Sequence, residues 1–357
     1  MGRKLMKILY VSDSYPPIIN GVSYVVEHLA QRMVANGHEV EVATVDSSWH
    51  LSRVEKRDGV CVRRFRGFSP GRSYHFPSPK IIRSLREKFD VMHVHNFHSL
   101  LPLVCSMSLA VNEPNGLFVV TPHYHTPGHH FHSRVAWLLY KPLLQHAVKR
   151  FDAVHCVSHF EATRVAHDFG VRPIVVENGI DEDVYSFRWK GYGEGAFNIT
   201  CVGRLERYKR IDWVLKAALI VMKKGYRVVV NVVGSGPEAS SITYLAERLG
   251  VKLNLTQHLP RDAFLKLLSR SSCVVNPSSY EAFSIVCAEA LVIGVPVVVV
   301  RPWGVNFERY PRAIIVDPDV HSLGEGILKC LDVSNSELMH VPTWVEVADR
   351  MYKEVYT

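Results

Sequence analysis

The stretch "SSYEAFSIVCAEAL", residues 278–291, sets Glu281 and Glu289 eight positions apart among small and apolar neighbours. From Ile285 to Leu291 the only charged residue is Glu289, so a helix there is apolar nearly all round and belongs inside the protein. Ser284 stands where an N-cap belongs. Glu281 then lies in the loop before the helix, and Glu289 sits inside it, roughly 7 Å beyond Ser284 at about 1.5 Å per residue. A carboxylate buried there is costly unless something polar meets it. The pair reads either as a loop cap plus a satisfied core acid, or as two acceptors for a ligand.

Three other stretches carry residues that could do chemistry. In "VSDSYPPIINGVSYVVEHLAQRM", Asn20 and Gly21 precede an amphipathic helix, and a glycine there lets backbone N–H groups approach a phosphate; Asn-Gly is also an ordinary turn. In "CVGRLERYKRIDWVLKAAL", Gly203 ends a strand, and Arg204 and Lys209 follow five residues apart, either facing a diphosphate or solvated at a loop. The third is histidine-rich: His93, His95 and His98 follow one strand, and His123, His125, His129, His130 and His132 the next. No Asp, Glu or Cys completes a metal-ligand spacing, and His-x-His at a strand end points both rings to one face, so no metal site is expected.

The elements that position these residues alternate in βαβ order. "KILYVSD", "EVEVATVD", "VMHVHNF", "FVVTPHYH", "AVHCVS" and "IVVENG" read as strands in the first half. The pattern restarts with "NITCVGR" and runs through "RVVVNVVG", "LNLTQHL", "CVVNPSS", "VPVVVV" and "AIIVD". Two open parallel sheets wrapped by helices are expected, with a linker near residues 181–196, and ligands bind at the carboxyl ends of such strands.

Composition agrees. The chain's 357 residues exceed one ordinary core, and 47% hydrophobic against 21% charged residues argues against disorder. The longest apolar run, "LVIGVPVVVV", is too short to span a bilayer and reads as a buried strand. The first apolar segment stops at Asp13, so no signal peptide is expected, and seven singly scattered cysteines suit a reducing, cytoplasmic setting with none of them catalytic. The net charge of +8 is local: residues 53–88 hold 11 Lys/Arg against 3 Asp/Glu, and the rest of the chain holds 31 of each. That segment suits an anionic partner or a solvated face, and no nucleic-acid signature accompanies it. A second basic segment, "RVAWLLYKPLLQHAVKRF", could form a stripe of Val135, Leu138, Leu139, Leu143 and Val148 broken by Pro142, with Arg134, Lys141, Lys149 and Arg150 around it. Such a stripe fits a membrane surface or a domain core equally.

The order of these pieces resembles the retaining, GT-B-fold glycosyltransferases of family four, from "MKILYVSDSYPP" to "WVEVADRMYKEVY". The resemblance is carried by "PPIINGV", "VVENGID", "VGRLERYKRID", "VGSGPE", "NPSSYEAFSIVCAEAL" and "GVPVVVV" in register. It implies an α/β protein of two Rossmann-like domains with an interdomain cleft: an acceptor-binding domain over 1–180, a nucleotide-sugar-binding domain over 181–340, and a C-terminal helix over 341–357 returning to the first domain. It implies that Glu281 approaches the donor sugar, Glu289 the ribose, and Arg204 and Lys209 the leaving diphosphate. Gly203, Asn20 and Gly21 would bring backbone to phosphates, with Phe283, Ser284 and Ile285 lining the donor. His125 is the preferred donor-sugar histidine and His123 the alternative.

The expected reaction is transfer of a hexose from a nucleotide-diphosphate sugar to a hydroxyl acceptor, without metal or other cofactor. The charge distribution points to an anionic or lipid-linked acceptor and peripheral membrane contact. An epimerase or sugar phosphorylase of the same architecture, or a non-catalytic binder, are the alternatives. Departures from the family pattern touch the donor loops: "INGV" lacks paired glycines, Ser284 replaces a usual glycine, Glu177 stands where proline is common, and "RPWGVNFERYPR" is atypical.

Overall fold

The computed structural model describes residues 4–68, 76–77, 80–85, 87–111, 116–124, 131–191, 195–333 and 340–357. The chain divides into two compact units, Met1–Gly179 with Pro342–Thr357, and Ile180–Val341. Each is an open α/β sheet with helices.

The first unit holds β1 (Lys7–Ser12), β2 (Glu39–Asp46), β3 (Val54–Arg57), β4 (Val60–Phe68), β5 (Phe76–Pro77), β6 (Val91–His95), β7 (Leu117–Thr121), β8 (Ala153–Cys156) and β9 (Ile174–Val175). Their order is β3-β4-β2-β1-β6-β7-β8-β9, with β5 also on β4. Strands β1 and β6 are buried almost throughout, as strands covered on both faces must be. The helix Gly21–Ala35 buries Val25, Val26, Leu29, Ala30 and Met33, one face at helical spacing.

The expectation of parallel sheets needs one correction, at the edge. Strands β3 and β5 run antiparallel to β4. The β3-β4 hairpin turns through Asp58 at φ 50° and Gly59 at φ 83°, the left-handed pair that an Asp-Gly turn supplies. This hairpin is the first part of the basic segment, and two of its arginines are already committed. Arg63 pairs with Glu41 and Glu87, and buried Arg64 donates to Glu55 at 2.6 Å and to the Pro16 carbonyl at 2.7 Å. Part of the excess charge therefore holds the sheet edge together rather than facing a partner.

The second unit holds β10 (Phe197–Val202), β11 (Val228–Val233), β12 (Lys252–Thr256), β13 (Cys273–Asn276), β14 (Val297–Val300) and β15 (Ala313–Val316). All pair in parallel, in the order β12-β11-β10-β13-β14-β15. All seven cysteines are unpaired, six of them buried. No helix among the described residues is long and apolar enough to cross a membrane.

His93, singled out in the sequence, joins His155 in a polar seam through the core of the first unit. His155 Nε2 lies 2.9 Å from the Val176 carbonyl, which can only accept, so this nitrogen donates. Burial keeps the ring neutral, pushing its pKa down to about 4, so Nδ1 accepts from the Thr121 hydroxyl at 2.7 Å. Thr121 then accepts from His93 Nε2 at 2.6 Å, His93 Nδ1 accepts from the Tyr356 hydroxyl at 2.7 Å, and Tyr356 accepts from Tyr10 at 3.1 Å. One carbonyl thus sets every donor along the row. The row also pins Tyr356, and with it the segment Pro342–Thr357, whose Trp344 packs edge-on to Tyr24 and whose Arg350 donates to the Val175 carbonyl.

This seam gives a signed pH dependence. The folded pKa of His155 lies below the ordinary value of 6.5, so its contribution is full above that value and is lost as pH falls from 6.5 towards 4. The loss is on the order of 3 kcal/mol. Glu161 and Glu289 are raised by burial to about 7 and shift stability the opposite way, so a difference between proteins is the clean readout. Thermal melts of wild type and His155→Gln are expected to show a wild-type advantage at pH 7.5 that shrinks by pH 5. An unchanged difference would show that the ring is not held neutral.

Candidate active site

In the second unit the sequence-read residues converge at the carboxyl ends of β10 and β13. Gly203 follows β10 at φ +144°, a conformation open to glycine. The next strand's Gly234 packs so tightly that a Cβ on it would lie 1.9 Å from the Gly203 carbonyl. Leu205 N–H donates to Ser235 at 2.9 Å and Glu238 N–H to Leu205 at 3.0 Å. The "VGSGPE" stretch therefore clamps the loop that carries the cations.

Arg204 and Lys209, read as twin cations, occupy different surroundings. Lys209 is mostly buried and its Nζ lies 2.5 Å from Glu281 Oε1. Burial alone would lower the Lys209 pKa, but the Glu281 carboxylate outweighs it and holds the ammonium above its ordinary value. Arg204 is exposed, pairs with Glu206 at 2.8 Å and donates to the Tyr208 hydroxyl at 3.3 Å. Tyr208 stacks on Tyr280, rings 4.5 Å apart and 9° from parallel, and the Tyr208 carbonyl accepts from Ser279 N–H at 2.8 Å. These contacts bind the loop after β10 to the loop after β13.

The second loop is held from beneath. Asn276 ends β13; its amide donates to Glu281 Oε1 at 3.2 Å and to Ser284 Oγ at 3.1 Å, and its carbonyl oxygen accepts from Ser278 Oγ at 2.6 Å. Trp303, fully buried, donates to the Ser278 carbonyl at 2.7 Å, so the atypical "RPWGVNF" stretch is a support for this loop. Phe283 lies against Phe307, ring centroids 5.7 Å apart, and Ile285 opens the helix Ile285–Ile293. Ser284 is the N-cap residue of that helix, as read, but makes no side-chain cap bond because its hydroxyl is turned to Asn276.

Glu289 is buried at 2% exposure and meets a partner that the sequence reading missed. Arg261, opening the helix Arg261–Ser269, donates from NH1 to Glu289 Oε1 at 2.6 Å. Its Nε and NH2 hold both oxygens of Asp183 at 3.0 Å each, and Asp181 lies 3.6 Å from NH2. Burial is the main force raising Glu289 to about 7; Arg261 opposes it, and Asp181 and Asp183 add to it.

In the first unit, Asn20 caps the helix Gly21–Ala35. Its Oδ1 accepts from Ser23 N–H at 2.9 Å while its own N–H donates to Ser23 Oγ at 2.8 Å, so side chain and amide are both engaged. A Cβ on Gly21 would meet nothing within 4 Å, so the fold itself does not require glycine there. His123 follows β7 at φ +46°, with Nε2 3.1 Å from His95 Nδ1. Glu161 fixes this turn, accepting from Tyr124 N–H at 2.5 Å and Val157 N–H at 2.7 Å. His125 lies outside the described residues. Among the described residues, no group of three or more His, Cys, Asp or Glu side chains is placed to hold a metal ion.

The comparisons with known proteins divide within ten residues of the boundary between the two units. Residues 19–184 match the family described as Glycosyltransferase Family 4, and residues 188–340 match Glycosyl transferases group 1. The chain belongs to the family-four, group 1 glycosyltransferases. It is 28% identical over 322 residues to an uncharacterized glycosyltransferase of Methanocaldococcus jannaschii, covering 82% of this chain and 80% of that one. It is 25% identical over 367 residues to one of the subunits of phosphatidylinositol N-acetylglucosaminyltransferase from Arabidopsis thaliana, covering 97% and 80%. Among solved structures, Anabaena HepE in complex with UDP and glucose aligns with a TM-score of 0.74 at 17% identity, covering 99% of this chain and 100% of that one. The fold of this glycosyltransferase is GT-B.

The Lys209–Glu281 contact makes a direct prediction. Removing one partner leaves the other's charge poorly compensated, so Lys209→Met or Glu281→Gln alone should each destabilise by roughly 2 kcal/mol. The double variant should lose less than the sum of the two, with a coupling of about 1 kcal/mol or more, measured from thermal unfolding midpoints. Strict additivity would mean that the contact contributes nothing to stability.

Proposed function

We propose that this glycosyltransferase moves a hexose from a nucleotide-diphosphate sugar to a hydroxyl acceptor with retention of anomeric configuration and without a metal. The observation that carries this reading is the Lys209–Glu281 pair beside Gly203 at the carboxyl ends of β10 and β13. One Lys209 N–H is used by Glu281, leaving two for diphosphate oxygens. Glu281 keeps acceptor capacity for the hydroxyls of the sugar. Arg204, with its exposed guanidinium, adds a second cation, and the start of helix Ile285–Ile293 offers backbone N–H groups to an anion.

In this mechanism the bond from the anomeric carbon to the diphosphate oxygen breaks, and the acceptor oxygen bonds to the same face. The departing diphosphate takes the acceptor's proton, so no protein base is needed. Lys209 and Arg204 stabilise the charge that develops on the leaving group. Glu289 serves the ribose, and Gly21 and His125, with His123 as the alternative histidine, serve the donor. The UDP and glucose held by HepE support a nucleotide-sugar donor.

For the acceptor, the helix Phe131–Val148 supplies the observation. It runs unbroken through Pro142 and leaves Val135, Leu138, Leu139 and Leu143 exposed, the middle two at 70% and 73%. Val148, expected in the same stripe, is buried in the core. Residues 131–150 include no acidic residue, and Lys149 and Arg150 are exposed at the helix end. The Arg134 side chain lies outside the described residues. An apolar face with a cationic end fits an anionic bilayer surface, which supports a membrane-borne acceptor, as the name of the Arabidopsis relative does.

Two tests follow. In steady-state assays with the UDP-, GDP- or ADP-sugar that raises the melting temperature most, Lys209→Ala and Arg204→Ala should each lower turnover by roughly ten- to a thousandfold. A double variant with near-wild-type turnover would remove the cations from the mechanism, and donor consumption without acceptor would favour an epimerase. Separately, wild type should co-sediment with phosphatidylglycerol vesicles at low salt and be released at high salt. Leu138→Ser/Leu139→Ser and Lys149→Ser/Arg150→Ser should each weaken that binding, whereas a wild type that ignores these vesicles would point to a soluble acceptor.

A further inference from the structure

Glu289 does not stand alone in the second unit. The helix that carries it packs on β13, β14, the helix Arg261–Ser269 and the short turn Glu182–Ser186. Strands β13 and β14, "CVVN" and "VVVV", bring no charged side chain. The charged groups that face Glu289 are Arg261 from its helix and Asp181 and Asp183 from the segment that begins the second unit. Three carboxylates therefore share one guanidinium. Asp183 grips Nε and NH2 side-on, the geometry that best fixes a guanidinium plane, and this leaves NH1 aimed at Glu289 Oε1.

We propose that Arg261, clamped by Asp183, is a positioning residue for nucleotide binding, holding the Glu289 carboxylate ionised and turned so that its second oxygen can accept from a ribose hydroxyl. The proposal rests on the reading of Glu289 as the ribose contact. Glu289 Oε2 takes no part in the Arg261 contact, so the ligand and the arginine use different oxygens. Lysine could supply the charge but not the fork: it has one nitrogen to share between Glu289 and Asp183. Without any cation, buried Glu289 faces the carboxylates of Asp181 and Asp183 and takes up a proton, which turns a two-oxygen acceptor into a weaker one.

The test is calorimetric titration of UDP, GDP and ADP, and of the 2′,3′-dideoxy form of whichever binds, from pH 6 to 9. Wild type should bind more tightly at pH 8 than at pH 6 and prefer the ribose form. Arg261→Gln should lose about tenfold or more in affinity at pH 7, lose the preference for ribose, and recover part of both by pH 9. Arg261→Lys and Asp183→Asn should fall between, which keeps the proposal testable should Arg261→Gln fold poorly. Arg261→Gln/Glu289→Gln should bind no worse than Glu289→Gln. If Glu289→Gln weakens binding but Arg261→Gln binds as wild type, or loses affinity equally at every pH, Arg261 does not position Glu289. If Glu289→Gln itself binds both forms as wild type does, the ribose assignment fails and the proposal with it.

Discussion

The second unit is organised around a buried ammonium that needs a carboxylate. Lys209 is withdrawn from water, and withdrawal alone would favour its neutral form; Glu281, 2.5 Å away, reverses that preference. The two residues belong to loops that follow β10 and β13, adjacent strands of one parallel sheet. Holding them together therefore fixes the two loops to each other, and much of the surrounding structure serves that contact. Gly203 and Gly234 let the backbones of two loops touch, Asn276 shares its amide between Glu281 and Ser284, and the Tyr208–Tyr280 stack closes the outer side. On the proposed reading, a diphosphate meets a cation already charged and oriented, which leaves little reorganisation to the moment of reaction.

The first unit solves a different problem, that of keeping a polar row dry. His93, His95 and His155 are all driven towards their neutral forms by burial, and a neutral imidazole donates from one nitrogen only. The Val176 carbonyl decides which nitrogen that is for His155, and the choice passes through Thr121 and His93 to Tyr356. His95 extends the row sideways to His123, whose ring stacks on one that burial holds neutral.

Much of the fold was legible because the strands announce themselves. Runs such as "VVVNVV" and "VVVV" are almost wholly apolar without alternation, as strands of a covered parallel sheet must be, and "NITCVGR" restarts the count. The β3-β4 hairpin is absent from the sequence expectation, although Asp58-Gly59 is a strong turn signal, because arginines so closely spaced look like surface charge. At the site, Glu281 and Lys209 were legible from their places after strands, but nothing in the sequence pairs them across 72 positions. Arg261 was invisible for the same reason: it lies 28 residues before Glu289, at the start of an ordinary amphipathic helix, and its task appears only when α/β topology brings it to Glu289 and Asp183. Ser284 shows the converse, since local sequence placed it correctly as an N-cap residue while a tertiary partner, Asn276, took its hydroxyl.

The central claim is that the Lys209–Glu281 pair meets the diphosphate and the sugar of the donor. The most direct measurement is a crystal structure of the protein with an intact, non-transferring nucleotide-sugar analogue. The expected result is a diphosphate oxygen within hydrogen-bond distance of Lys209 Nζ and a sugar hydroxyl within the same distance of Glu281. A donor bound with its diphosphate away from Lys209, and with the Lys209–Glu281 contact untouched, would contradict the assignment and leave that pair as a structural brace between two loops.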